Sequence, residues 1–175
     1  MMIMHRSCAR AKVFAGVAAT AWLMLATATP AAAESVRWRT VVGILQAGNL
    51  VGNIAGGGQP WTTLGGHASA DLSTGRLEFD VRGLVLAGGN TIGTPGAINQ
   101  VKGTLVCDPG GLNLAFDTVL VPLNTVGDAE FAGIVGPIPT TCTPANVVFL
   151  IRVAAGRWIA NGAVRSGAGT DIGRM

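Results

Sequence analysis

Glycine punctuates this chain. Of its 26 glycines, 25 follow residue 33, in clusters such as Gly56-Gly57-Gly58, Gly88-Gly89 and Gly110-Gly111 that keep no collagen-like period. Between the clusters lie short runs that alternate apolar with polar residues or are apolar throughout. No long stretch repeats its apolar residues at helical spacing. A chain divided in this way has no helix face long enough to bury, so its core must come from short strands joined by turns. The expected fold is all-β: an antiparallel β-sandwich (or barrel) of about nine strands with one disulfide.

The first 33 residues follow another rule. His5, Arg6, Arg10 and Lys12 make a basic start, Val13 to Ala28 is apolar and small, Pro30 breaks the run, and Ala31-Ala32-Ala33 fits a small-x-small cleavage site before Glu34. This is the pattern of a secretory signal peptide over 1–33, removed to leave a single β domain over 34–165 and a frayed, glycine-rich tail over 166–175. As an uncleaved anchor the apolar run would be at the short limit for a membrane span. Arg6 and Arg10 are not adjacent, so there is no twin-arginine signal. The expected location is secreted, periplasmic or extracellular, with membrane contact only through the leader before cleavage.

Losing the leader changes the charge. Arg6, Arg10 and Lys12 leave with it, and residues 34–175 hold nine basic against nine acidic side chains. The excess of positive charge therefore belongs to the leader. With one lysine, Lys102, and no tyrosine in the remainder, no nucleic acid partner is expected. Cys107 and Cys142 are the two cysteines left, and an even pair in an oxidising compartment is read as a disulfide. Closing a loop of 35 positions would stabilise the fold by roughly 4 kcal/mol on the chain-entropy account. There is no CxxC and only one histidine, His67, so no metal and no cofactor are predicted.

The strand Gln100 to Cys107 organises the remainder. Val101, Leu105 and Cys107 share one face with Gly103, which aims Cys107 inward. Before it come a run from Val36 to Leu45, with Val36, Trp38, Val42 and Ile44 on one face beside Thr40, and a short strand over 50–54. Gly65 to Leu86 is a hairpin: Ala68, Ala70 and Leu72, then Leu77, Phe79 and Val81, point inward around the Ser73-Thr74-Gly75 turn. After it come Leu112 to Val121, Asp128 to Val135, an apolar and therefore central strand Val147 to Val153, and Arg157 to Val164 with Trp158 inward. If every connection reverses direction, the 46–49, 73–75, 108–111 and 136–146 connections share the disulfide end. The 55–64 and 87–97 loops then share the other end.

The stretch GHASADLSTGRLEFDVRGL (66–84) resembles the hairpins of chordin-type repeat domains of secreted proteins. The chain as a whole resembles small uncharacterised secreted bacterial all-β proteins. The first likeness is one of pattern and implies a hairpin; the second implies a location outside the cytoplasm. Neither assigns a functional residue.

Three sets of side chains could carry chemistry. His67, Ser69 and Asp71 lie on one strand face and suggest a hydrolase. Alternate residues of a strand are about 6.5–7 Å apart, however, and a triad needs hydrogen-bond contact. Asp128 and Glu130, with Asp117, could gather oxygens around a cation, but no D-x-D-x-D-G loop accompanies them. Trp61 lies in a glycine-rich loop with Gln59, opposite Asn90 and Thr91 of the 87–97 loop. Trp61 is expected either to fold back under its loop as a core residue or to join the others in a ligand-binding surface, the tryptophan supplying apolar area and the others hydrogen bonds. The expected function is a secreted, non-enzymatic binding or structural β-domain for an unknown ligand or protein partner. The alternatives are a hydrolase on the His67 face and a small outer-membrane β-barrel, the latter short of aromatic residues for its girdles.

Overall fold

The computed structural model describes residues 34–167. The expected leader and the tail beyond Gly167 lie outside the described residues. There are thirteen strands, and no helix is present among the described residues. In chain order they are β1 (Ser35–Gly43), β2 (Leu50–Val51), β3 (Ile54–Ala55), β4 (Trp61–Thr62), β5 (Gly65–Asp71), β6 (Arg76–Arg82), β7 (Val85–Leu86), β8 (Gln100–Cys107), β9 (Leu114–Asp117), β10 (Val121–Pro122), β11 (Ala129–Ile134), β12 (Val147–Val153) and β13 (Trp158–Gly167).

Nine of these make one antiparallel sheet in the order β10-β8-β12-β13-β1-β5-β6-β11, with β9 also paired to β8. The two layers of the fold are halves of this one sheet, which curls until its inner faces meet. Phe79 of β6 lies 5.6 Å (ring centroids) from Phe149 of β12, although three strands separate them in the sheet. Trp38 of β1 joins from one side at 5.7 Å and Phe131 of β11 from the other at 6.1 Å. Gly103 allows this closure. A Cβ there would stand 2.8 Å from two ring carbons of Phe79 and 3.2 Å from the Phe149 ring.

The local patterns explain the members. In β5 and β6, Ala68, Ala70, Leu77, Phe79 and Val81 are buried and the residues between them are not. In-register pairs run from Gly65↔Arg82 to Asp71↔Arg76. Val147 to Val153 is central as expected, paired on one side with β8 from Val147↔Cys107 to Val153↔Val101 and on the other with β13. Trp158 is buried.

Four expectations need correction. Leu50 to Ile54 is not a sheet strand: Gly52, at φ 57°, turns the chain inside it and leaves only the small β2–β3 hairpin. The 46–49 turn consequently lies at the end opposite the disulfide, where β1 finishes. In β1 the alternation breaks at Arg39 and Thr40, both exposed, so Val41 is buried and Val42 faces out. Leu112 to Val121 is divided into β9 and β10 at Thr118, whose hydroxyl accepts the Gly103 N–H (3.0 Å) and donates to the Val119 carbonyl (2.7 Å). The last strand is also longer than expected: Ser166 and Gly167 pair with Arg37 and Val36 instead of fraying.

The Cys107–Cys142 disulfide closes one end of the curled sheet, with both cysteines buried. Asn146 pins the loop that carries Cys142. Its side-chain oxygen accepts the Thr143 N–H at 2.7 Å, its side-chain amide donates to Thr141, and its carbonyl accepts the Asp108 N–H at 2.7 Å. The 72–75 and 108–113 turns share this end, as strand directions require.

Candidate functional site

The end opposite the disulfide is built by the 44–64 and 83–99 segments. They are stitched together across a long stretch of sequence. β4 pairs antiparallel with β7 through Trp61↔Leu86 and Thr62↔Val85, and the Ala87 N–H donates to the Pro60 carbonyl at 2.9 Å. The Trp61 N–H donates to the Ile44 carbonyl at 2.7 Å, which ties the loop to the end of β1. Gly43 makes this approach feasible, because a Cβ there would run into the Trp61 carbonyl. On the other side the 87–97 loop closes on itself. Leu86 exchanges hydrogen bonds with Thr94 and Gly93, and the Thr94 hydroxyl donates to the Thr91 carbonyl at 2.9 Å.

Between the two loops lies a cavity of about 590 Å³. Trp61, Leu86, Pro95, Ile98, Val153 and Ile159 supply its apolar lining; Gln59, Thr91, Thr94 and Arg157 supply polar groups. Three of the four residues expected from sequence therefore meet at one cavity: Trp61, Gln59 and Thr91. Asn90 is exposed and does not line it. Trp61 is only 4% exposed, so it is at once a core residue and a wall of the cavity. Sequence reasoning missed Val153, Arg157 and Ile159, which come from the β12–β13 hairpin. Arg157 lies at the turn of that hairpin, where one guanidinium nitrogen donates to the Gly56 carbonyl at 3.1 Å.

The other candidate side chains are dispersed. On β5, His67 is exposed, Ser69 sits opposite Glu78, and the Asp71 carboxylate turns toward the following residues. It accepts the Ser73 hydroxyl at 2.6 Å and the Ser73 and Thr74 N–H groups, and the Ser73 bond foremost holds its pKa below the ordinary value. No hydrogen bond links His67, Ser69 and Asp71 to one another among the described residues. Asp128 ties two distant segments together: its carboxylate accepts the Gly83 N–H at 3.0 Å, which lowers its pKa, assisted by Asn124 of its own turn.

Asp117 lies elsewhere, on the face of β9 turned away from the core. It pairs with Lys102 and with Arg152 (3.0 Å) and accepts the Thr104 hydroxyl at 2.6 Å. Burial alone would raise its pKa; the hydrogen bonds from Lys102 and Thr104 and the charges of Arg152 and Lys102 outweigh it and hold the carboxyl below the ordinary range. No group of three or more His, Cys, Asp or Glu side chains able to hold a metal occurs among the described residues. A second cavity, of about 630 Å³, lies beside β10 and is bordered by Asp80, Arg82, Asp128 and Glu130. Its charged border, with three carboxylates, is less suited to a small organic molecule than the apolar walls of the first.

Set against known protein families, curated proteins and solved structures, the chain matches none.

Proposed function

We propose that the chain is a secreted, non-enzymatic binding domain that takes a small, largely apolar molecule in the cavity between the 55–64 and 87–97 loops. One observation carries this reading: a cavity of about 590 Å³ with apolar walls and a few polar groups at its border. That size and mixture are characteristic of small-molecule sites, which favour the mouths of curled sheets. The opposite end is held by the disulfide and the Asn146 bonds, so the binding loops stand on a rigid frame. A disulfide is compatible with an oxidising compartment, and the leader pattern supports export to the periplasm or beyond the cell. The outward charges of Lys102, Asp117 and Arg152 on β8, β9 and β12 favour a water-facing surface over a lipid-facing band.

An environment-sensitive apolar dye, anilinonaphthalene sulfonate, tests the reading. The folded protein should bind it saturably at one site, and Ala97→Trp, which fills the cavity from an exposed position, should abolish that binding without lowering the melting temperature. Absence of saturable binding, or binding unchanged by Ala97→Trp, would overturn it.

A further inference from the structure

We infer that the molecule bound in this cavity carries a carboxylate, or a like anionic oxygen group, at one end of an apolar body; the inference rests on the binding reading above.

One donor beside the cavity points to an anionic acceptor.

The donor is Arg157. One nitrogen of its guanidinium is engaged with the Gly56 carbonyl. A guanidinium has five N–H donors and no acceptor, so the remainder of the fork is available. No carboxylate pairs with it among the described residues, and no Asp or Glu lines the cavity. A cation without a counter-charge, beside apolar walls, selects a ligand that brings the negative charge with it. Gln59, Thr91 and Thr94 can donate or accept and do not discriminate; the preference rests on the charge of Arg157. Because residues 34–175 carry balanced charge, attraction of the anion would be local to this rim, not a property of the whole surface.

Calorimetric titration with octanoate, octanol and octylammonium separates the possibilities, since the three share an apolar chain and differ in the head group. Octanoate should bind about tenfold more tightly than octanol, the scale set by hydrogen bonds to charged groups, with octylammonium weakest. The preference should shrink as salt is raised. Arg157→Gln should bring octanoate to the level of octanol in the same variant, while Arg157→Lys retains part of the preference. If octanol binds as well as octanoate, the anionic head group is refuted and the apolar cavity stands. If none of the three binds, the cavity is no such site, and both readings fall. The comparison within the wild type decides the matter even if a variant fails to fold.

Discussion

Replacing Gly103 by alanine should destabilise the protein, although alanine suits a strand better than glycine does. Gly103 has ordinary strand geometry, so the backbone accepts alanine without strain, and the stiffer unfolded chain would favour the fold by about 0.4–1 kcal/mol. The added methyl, however, would stand 2.8 Å from two carbons of the Phe79 ring and 3.2 Å from Phe149. Phe79 cannot retreat freely, being held between Phe131 and Phe149 at ring separations of 6.1 and 5.6 Å. Overpacking of this kind costs about 1–3 kcal/mol, so the net loss should be about 1–2 kcal/mol. Urea denaturation of the oxidised protein would read it as a lower midpoint at unchanged slope. Gly58→Ala is the control: nothing lies within 4 Å of the place its new methyl would take, and its stability should be equal to the wild type or slightly higher. Phe79→Leu in the Gly103→Ala background should recover part of the loss, revealing coupling across the curl. If Gly103→Ala were as stable as Gly58→Ala, β6 would not lie over β8, and the curled sheet would be wrong.

Other consequences are separately measurable. Cys107→Ser with Cys142→Ser should lower stability by about 2–5 kcal/mol, and non-reducing peptide mapping of the exported protein should find the two cysteines linked; free thiols at both would contradict the structure. Asp117 has a lowered pKa, so its contribution is present above the unfolded value near 3.8 and is lost as pH falls through the lower folded value. Asp117→Asn should therefore be less stable than the wild type at neutral pH and show a shallower acid limb, read from melting temperature against pH; parallel curves would show that the pairing of Asp117 with Lys102 and Arg152 contributes nothing. Asp71, lowered foremost by its bond from Ser73, and Asp128, lowered foremost by its bond from the Gly83 N–H, should leave an acid limb in that variant. Intact-mass measurement of the exported protein should place its first residue near Glu34, and a mass retaining 1–33 would remove the argument for cleavage.

The parts of this fold that local pattern determines were the legible ones. The β5–β6 hairpin was visible because inward alanines, leucines and Phe79 alternate strictly with polar residues on both arms. β12 was visible because side chains on both its faces are buried, which leaves an apolar run up to Arg152. What alternation could not show depends on partners distant in sequence. The break at Arg39–Thr40 faces Val164, itself in a left-handed conformation at φ 49°, and nothing near residue 39 signals it. Strand-like residues at Leu50 to Ile54 were misleading because Gly52 turns the chain within them. The loops that border the first cavity were marked out by their glycines, polar groups and Trp61, so half of the cavity wall was legible. The other half of its wall, Val153, Arg157 and Ile159, arrives through the curl of the sheet. Asn90 stands in the same loop as Thr91 but does not line the cavity.

Amide chemical-shift mapping during titration with octanoate tests the central claim, that the end opposite the disulfide is the binding end. Saturable shifts should concentrate at residues 57–61, 86, 91–98 and 153–159, with the 72–75, 108–113 and 136–146 segments unmoved. Shifts centred on the disulfide end, or spread without saturation over the whole surface, would contradict the account.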